Sequence, residues 1–585
     1  MNGNARSPRH GCIISLRVSI LVAAVAAVGV TPGVRAQEDP DPVAEARKAR
    51  LELAGGGAGY ITARKLGVPE IAGKPVTTQV HGGPREKPRL AAEDIAPSSH
   101  EEPRPAREHR PARSENNVAV RDFPNVSENE PTVAANPRDP NKVVAGSHFI
   151  GDTANRCVAH YSRDGGKTWS YAPIFMPHLT HESECSDPVL AYAPDGSRVY
   201  YAYMDIKFAT QFDVVVSYSD DDGKTWKGPV VALSTELHDY DKPWIGTHVP
   251  AGGGHGGQGN SNWVYVSSTR FPFTGNPCTI EFTRSSDQGQ TWSLPQTLDT
   301  GVCGNAGSSP TVQVVQGSRP NGGIGDDVLV AWYHSGTDGW LFGSFQIRTR
   351  YSSNNGATFG AINISATDLT EAPFWLGPLL RYHRWWGVMF PDVEIAPDGS
   401  AHILYTHDPV PGTATDEDGD IRYVASTGRP YATWSLPTKV NNDPTPGKAQ
   451  GWATLEAGSK SGRTALYALW EDHRASSTDN LEYDVFYAKR SGAGAWANAK
   501  LTDRTSRSDF IFLGDYFDLT IARSHDDDHD GDPFVYGIWT DRRDEPTRFD
   551  LDDDAWGSRL PPRRLGDDDD DDGDDRDERE HPYRN

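Results

Sequence analysis

The sequence predicts an all-β protein built from repeated units of about four strands each. The pattern S-x-D-x-G-x-T-W occurs three times with unbroken spacing, at residues 162–169, 219–226 and 285–292. A looser copy at 352–359 has Asn in place of Asp and Phe in place of Trp. The copies lie about 60 residues apart, the span of one four-stranded sheet with its loops, so each copy marks one unit of a repeat architecture.

Each copy has the chemistry of a hairpin turn that follows a strand. An alternating run such as 157–161 or 214–218 precedes it. The Asp carboxylate accepts hydrogen bonds from the N–H groups of the turn, Gly supplies the positive φ, and the aromatic residue opens the returning strand. We therefore expect structural roles for the acidic or amide residue and the aromatic residue of each copy: Asp164, Trp169, Asp221, Trp226, Asp287, Trp292, Asn354 and Phe359.

These copies resemble Asp-boxes, the BNR repeats of the sialidase (neuraminidase) superfamily and of related β-propellers. The resemblance implies a β-propeller of four-stranded blades. It implies fold more strongly than activity, because the Asp-box lies at the blade periphery and also occurs in propellers without enzymatic activity.

The number of blades follows from segments that resemble an innermost strand. Seven such segments recur along the chain: 130–134, 187–191, 242–245, 309–312, 390–393, 451–454 and 516–519. The last unit lacks an evident outer pair of strands, so we expect residues 117–122 to supply a missing strand and close the ring. Seven blades are predicted, and six, the number in sialidases, is the alternative.

The remaining segments predict an exported protein. Residues 1–36 combine a basic start, a short apolar run and Val34-Arg35-Ala36, which predicts a secretory signal; a membrane anchor is the alternative, although the run is short for a span. Residues 37–115 are rich in Pro, Arg and Glu and read as a disordered linker or pro-segment. Residues 116–548 form the predicted propeller and 549–585 a disordered acidic tail, and the protein is expected to be secreted or periplasmic.

Four cysteines remain after the signal, an even number that suits disulfides in an oxidising compartment. We expect the pairs Cys157–Cys185 and Cys278–Cys303, one of three connectivities. No cysteine and histidine spacing suggests zinc.

Acidic residues concentrate near the C-terminus of a chain with net charge −24, which argues against a nucleic-acid partner. Asp526, Asp528 and Asp530 resemble the start of a calcium loop, but Gly537 stands where the loop requires Glu. A solvated hairpin loop is the alternative. The sequence thus predicts that the protein requires no cofactor, and calcium is the one ion that it could bind.

A propeller brings the starts of its innermost strands and the ends of its second strands to one face, where a ligand would bind. Ionisable residues recur before the innermost strands, at Glu130, Asp187, Asp241, Lys242 and Asp515. Others follow the second strands: His148, Asp205, Arg270, His334, His407, Glu471, Arg474 and Arg542. Pairing between neighbouring strand ends is the structural alternative, and the patterns 470–474 and 539–543, both Trp-x-Asp-x-Arg, favour it.

The resemblance implies a sialidase site with an arginine clamp for the substrate carboxylate, a tyrosine nucleophile activated by Glu, and an aspartate acid/base. The candidates for the clamp are Arg270, Arg474 and Arg542, and the nucleophile pair is Tyr516 with Glu471. Asp205 or Asp241 is the acid/base, and the three histidines join the substrate-binding set. The family's Arg-Ile-Pro signature is absent, and residues 121–124 only faintly resemble it.

Trp385 and Trp386 lie in an insertion that joins an outer strand to the next inner strand and overhangs the same face. They could stack on sugar rings or anchor the loop on the propeller. Two functions remain open: an exported sialidase-like glycoside hydrolase, or a non-catalytic propeller that binds a glycan, a peptide or an envelope protein. We expect a monomer with no membrane span once the signal is removed.

Overall fold

The computed structural model describes eighteen segments of the chain: residues 117–120, 127–150, 155–172, 183–207, 211–234, 238–248, 262–272, 277–301, 315–322, 326–335, 344–370, 390–407, 419–444, 448–476, 482–507, 513–522, 533–543 and 553–561. Every regular element in them is a β-strand. None of these residues belongs to a helix long and apolar enough to span a bilayer.

The described strands fall into consecutive antiparallel units, and strand β1 (Val118–Ala119) precedes them. Unit 1 contains β2 (Ser127–Asn136), β3 (Asp139–Ile150), β4 (Asn155–Ser162) and β5 (Ser170–Ala172). Unit 2 contains β6 (Ser183–Tyr192), β7 (Val199–Lys207), β8 (Gln211–Ser219) and β9 (Lys227–Leu233). Unit 3 contains β10 (His238–His248), β11 (Trp263–Pro272), β12 (Cys278–Ser285) and β13 (Gln296–Gly301). Unit 4 contains β14 (Val315–Gly322), β15 (Val328–Ser335), β16 (Ser344–Ser352) and β17 (Asn363–Thr370).

The later units continue the same order. Unit 5 contains β18 (Asp392–Ile395), β19 (Ala401–His407), β20 (Asp420–Ser426) and β21 (Thr438–Lys439). Unit 6 contains β22 (Gln450–Lys460), β23 (Arg463–Asp472), β24 (Glu482–Ser491) and β25 (Ala497–Lys500), with β26 (Ser506–Arg507) also paired to β24. Unit 7 contains β27 (Asp518–Ala522), β28 (Phe534–Asp541) and β29 (Asp554–Arg559). The prediction of an all-β fold is confirmed for the described residues, which include several four-stranded sheets. The strands of units 2 and 3 join in one eight-stranded sheet through a parallel pairing of β8 with β10.

Strand β1 completes unit 7, in which the strand order is β1-β29-β28-β27. Val118 pairs with Gly557 and Ala119 with Trp556, so the predicted use of the N-terminal residues to complete the last unit is confirmed. The predicted start of the disordered tail at residue 549 is wrong, because β29 lies beyond it. The aspartates that flank β29 suggested disorder in the sequence, yet Ala555 and Trp556 of this strand are buried in the sheet.

The first strands of the units contact one another in chain order, and β27 returns to contact β2. Hydrogen bonds join them, since Asp518 Oδ2 on β27 accepts from Thr132 Oγ1 at 2.8 Å and from Val133 N at 2.9 Å on β2. Asp392 on β18 makes the same contacts with Thr454 and Leu455 on β22, at 2.8 and 2.9 Å. The first strands therefore form a closed ring of contacts.

The four Asp-box copies adopt one turn geometry. In the first copy, Asp164 Oδ1 accepts from Ser162 Oγ at 2.7 Å and from Thr168 N at 2.8 Å, and Gly166 has φ +84°. Asn354 replaces the carboxylate in the fourth copy and accepts from Thr358 N at 3.0 Å. The turns also join neighbouring units, because Gly166 lies against the ring of Tyr536 in unit 7.

A disulfide joins Cys157 on β4 to Cys185 on β6, which confirms the predicted pair and links units 1 and 2. Cys278 is also disulfide-bonded. Its predicted partner, Cys303, lies outside the described residues.

Candidate functional site

The candidate site begins at an irregularity shared by the first strands of units 1, 2 and 3. Their pairing with the second strands shifts register at residues 129–132, 186–189 and 241–244. Glu130, Asp187 and Lys242 lie in these shifts with φ of 51°, 51° and 55°, and a proline follows each. Left-handed backbone at residues other than glycine is strained and concentrates at functional sites.

Five charged side chains meet at the ring of first strands and are here called the hub cluster: Glu130, Asp187, Asp241 and Lys242 at the register shifts, and Asp515, which precedes β27. Asp187 N donates to Glu130 Oε2 at 3.3 Å, and Lys242 N donates to Asp187 Oδ2 at 3.1 Å and to Asp241 Oδ1 at 2.9 Å. Lys242 Nζ lies 3.8 Å from Asp515 Oδ2. All five side chains were expected at the start of an innermost strand, and the structure places them in contact.

Burial makes the carboxyl groups of the hub cluster unequal. Glu130 and Asp187 are fully buried, and Asp241 and Asp515 are 4% and 2% exposed. Burial and the neighbouring Asp187 charge raise the pKa of Glu130 and of Asp241 well above the usual value. Burial opposes ionisation of Asp187 as well, but the Lys242 ammonium and hydrogen bonds from Glu130 and Asp241 lower its pKa. The hub cluster thus combines two carboxyl groups whose pKa is raised, Glu130 and Asp241, with one whose pKa is lowered, Asp187.

Tyr516 lies directly against the hub cluster. Its hydroxyl donates to Pro188 O at 2.5 Å, and Lys242 Nζ lies 3.9 Å from the centre of its ring. Burial, followed by the charges of Glu130 and Asp187, raises the pKa of Tyr516 well above the usual value. Its predicted partner Glu471 is buried on β23, where its Oε1 lies 2.9 Å from His473 Nε2. Tyr516 is therefore a neutral phenol beside the carboxyl cluster.

Two of the predicted clamp arginines already have carboxylate partners. Arg474 Nε and Nη2 donate to the two oxygens of Asp472 at 2.9 and 2.7 Å. Arg270 Nε lies 3.5 Å from Glu281 Oε1. The third, Arg542, is 6% exposed, and its Nη1 donates to Arg507 O at 3.5 Å.

The Trp-x-Asp-x-Arg pattern forms a clasp within and between units. Trp470 Nε1 donates to Asp472 Oδ2 at 2.9 Å, and Arg474 Nη1 reaches Asn442 Oδ1 of unit 5 at 2.8 Å. Trp539, Asp541 and Arg543 repeat the arrangement in unit 7. The guanidinium groups at these strand ends thus join neighbouring units, as the structural alternative predicted.

Of the other predicted residues, His148 adjoins the hub cluster, whereas Asp205, His334 and His407 lie on strands of units 2, 4 and 5. Asp205 is 4% exposed on β7, opposite Asp213 of β8. His148 Nδ1 lies 3.6 Å from Glu130 Oε2, and burial lowers the pKa of His148 to about 4. Burial and Arg348 lower the pKa of His334, on β15 in unit 4. His407 ends β19.

Trp385, Trp386 and the calcium candidates Asp526, Asp528 and Asp530 lie outside the described residues. Within the segments that the structure describes, no group of three or more His, Cys, Asp and Glu side chains could hold a metal ion.

A cavity of about 990 Å³ runs along the ring and is lined by residues from each of the first strands. Its wall includes Glu394, Glu456 and Asp518, and Arg319 in the wall pairs with Asp392 at 2.9 Å. Burial is the first cause that raises the pKa of Glu394 and Glu456 well above the usual value. The cavity is polar and shares its Trp244 with the environment of Tyr516, at 5.4 Å between ring centres.

Comparison with known proteins gives a family match for one repeat. The model of the BNR/Asp-box repeat matches residues 160–171, the first of the four copies. The chain carries BNR/Asp-box repeats. No curated protein matches the chain in sequence.

Solved structures with similar folds include carbohydrate-active enzymes. The Hadza microbial sialidase Hz136 is 15% identical, with 72% of this chain and 75% of that chain covered and a TM-score of 0.38. A PL25 ulvan lyase is 11% identical over 72% of this chain and 93% of that chain, with a TM-score of 0.39. The GH93 α-L-arabinofuranosidase of Fusarium graminearum is 13% identical, with 76% of this chain and 98% of that chain covered and a TM-score of 0.38.

Proposed function

We propose that this chain is an exported glycoside hydrolase, built as a seven-bladed β-propeller, with the hub cluster as its active site. Support for seven blades comes from the closed order of contacts among the first strands and from a cavity to which all of them contribute. Support for a carbohydrate substrate comes from the BNR/Asp-box repeat.

The observation that carries the proposed activity is the division of protonation within the hub cluster. Glycoside hydrolysis needs a protonated carboxyl group to protonate the leaving oxygen and an ionised carboxylate to act as base or nucleophile. Glu130 and Asp241 have raised pKa values and suit the acid, whereas Asp187 has a lowered pKa and suits the carboxylate. Because carboxyl groups supply both roles, the proposed reaction requires no cofactor.

The sialidase-like form of this proposal assigns Tyr516 as nucleophile and an arginine clamp for the sialic acid carboxylate. Tyr516 adjoins the hub cluster, which supports its part in the reaction. Arg474 and Arg270 would first have to leave Asp472 and Glu281, respectively. Glycoside hydrolysis itself does not depend on such a clamp.

The test is turnover of a panel of fluorogenic glycosides, including sialosides, by the purified chain and by Asp187→Asn. We expect the variant to lose about 10³-fold in kcat/KM, because a neutral amide can act neither as base nor as nucleophile. Asp220→Asn, at an exposed ion pair with Arg198, is the control and should keep full activity. Absence of turnover of every glycoside by the unmodified chain would overturn the proposal.

Non-catalytic glycan binding is the second candidate, and the burial of the hub cluster favours it. Glu130 and Asp187 have no exposed surface, and the clasped arginines occupy strand ends with structural contacts. A glycan array probed with the purified chain would distinguish the two functions. Binding without turnover would establish the second candidate in place of the first.

A further inference from the structure

The ammonium group of Lys242 is the least satisfied polar group of the hub cluster. Lys242 is 4% exposed, and no described residue accepts a hydrogen bond from its Nζ. Its Nζ lies 3.8 Å from Asp515 Oδ2, beyond hydrogen-bond length, and 3.9 Å from the centre of the Tyr516 ring. An ammonium group has three donors, and leaving them unused away from water is costly.

The charge around this ammonium is acidic. Four carboxyl groups share the hub cluster with one lysine. The pKa values of Glu130 and Asp241 are raised, which leaves Asp187 and Asp515 as the negative partners of Lys242. A further anion would be repelled by these two carboxylates, since buried charges interact through a medium of low effective dielectric constant. A sugar hydroxyl has no such conflict, because its oxygen can accept from the ammonium while its proton is donated to a carboxylate.

Two of the three predicted clamp arginines already lie beside carboxylates, and the third, Arg542, is buried with its Nη1 donating to Arg507 O. Arg474 is held by both oxygens of Asp472, and Arg270 lies beside Glu281. The carboxylate of an acidic sugar would therefore face the hub carboxyl groups without a free guanidinium from Arg474 or Arg270 to balance its charge. The same constraint does not apply to a sugar that carries only hydroxyl groups.

We propose that the hub cluster takes an uncharged sugar, binding a hydroxyl oxygen of that sugar through the Lys242 ammonium, and that it rejects uronates and sialates. This inference names the substrate class of the site given under the proposed function and rests on that function. Lys242 is then a substrate-binding and specificity-determining residue.

The experiment compares neutral glycosides of common hexoses and pentoses with matched glucuronides and sialosides, for the full chain and for Lys242→Met. We expect kcat/KM for the preferred neutral glycoside to exceed that for any acidic one by about 100-fold or more. Lys242→Met should lose about 100-fold on the neutral glycoside, because it removes the donors. Lys227→Met, at an exposed lysine paired with Asp220, is the control and should leave kcat/KM unchanged.

Lys242→Gln separates recognition from folding, since its amide keeps two donors without the charge. Partial recovery of kcat/KM relative to Lys242→Met, at equal thermal stability, supports the binding role. Preference for an acidic glycoside, or unchanged kcat/KM in a folded Lys242→Met variant, overturns the inference.

Calorimetric titration of the same free sugars keeps the inference testable if the proposed hydrolysis fails. Binding of neutral sugars alone, weakened by Lys242→Met, would support the inference although the chain is not an enzyme. Binding of acidic sugars, or of none, would overturn it.

Discussion

Replacement of Asp518 by Asn should reduce the pH dependence of stability. Asp518 lies on β27 at the contact with β2, and burial raises its pKa from 3.8 to about 7. Between those values the folded state holds a proton that the unfolded chain releases, so raising the pH favours unfolding. The contribution of Asp518 to stability is therefore greatest below its unfolded-state pKa and falls as the pH rises towards its folded-state pKa.

The magnitude follows from the separation of the two pKa values. The separation is about three pH units, and each unit corresponds to ~1.4 kcal/mol. Two of these pH units lie between about pH 5 and the folded-state pKa of about 7, above which the contribution of Asp518 is lost. The free energy of unfolding of the wild-type chain should therefore fall by about 3 kcal/mol through Asp518 between about pH 5 and pH 8. Asp518→Asn should flatten this loss, because its amide does not titrate.

The assay is urea denaturation of both proteins at about pH 5 and pH 8. The amide oxygen can still accept from Val133 N, but the contact with Leu519 N is lost, which should cost about 1 kcal/mol at both pH values. Thr520→Val is the control, since it removes a 3.0 Å hydrogen bond from Ala135 N at the same contact without removing a titrating group. Equal pH dependence in wild type and Asp518→Asn would refute the reasoning.

Three further changes test the turns and clasps, each by urea denaturation. Asp164→Ala should lower the free energy of unfolding by about 1 to 2 kcal/mol, because the turn loses its hydrogen-bond acceptor. Asn354→Asp should raise the free energy of unfolding, because it restores the carboxylate of the turn. A more stable Asp164→Ala variant would contradict this reasoning. Asp472→Ala should lower the free energy of unfolding by about 3 kcal/mol or more, because the Arg474 guanidinium and the Trp470 indole N–H lose their partner. A loss below about 1 kcal/mol would mean that the Asp472–Arg474 pair contributes no more than an exposed ion pair. Gly166→Ala would place a Cβ 2.3 Å from a ring carbon of Tyr536, whereas no atom lies within 4 Å of a Cβ at Gly462. Gly166→Ala should therefore lower the free energy of unfolding by about 2 kcal/mol more than Gly462→Ala. Equal losses in the two variants would contradict the close approach.

The turns were predictable because their hydrogen bonds join residues a few positions apart. The Asp-box encodes its own acceptor, glycine and aromatic residue within eight positions, and the structure reproduces that geometry in all four copies. Units 5 and 6 have lost the acidic residue but keep a tryptophan before the outer strand, at Trp434 and Trp496. The Thr433-Trp434 pair was a signal available in the sequence for one of these weaker copies.

The hub cluster was predictable only as a set of strand starts. Topology indicated that Asp187, Asp241 and Asp515 would converge, but not that Lys242 would lie above the ring of Tyr516 with its donors unused. That arrangement depends on left-handed residues at register shifts in separate units. No local pattern specifies the distance between side chains that are hundreds of residues apart.

The sequence by itself determined a repeated all-β chain, its Asp-box turns and the use of its first strand to complete the last unit, whereas the Cys157–Cys185 disulfide was one of three possible pairings. Periodicity, turn chemistry and the need to cover a sheet edge are properties of short segments, so the sequence contains them directly. Tertiary structure alone decided which charges meet and which are already paired. Asp472 pairs with Arg474, and Asp187 lies between two carboxyl groups whose pKa values are raised, because closure of the ring sets their burial and their partners.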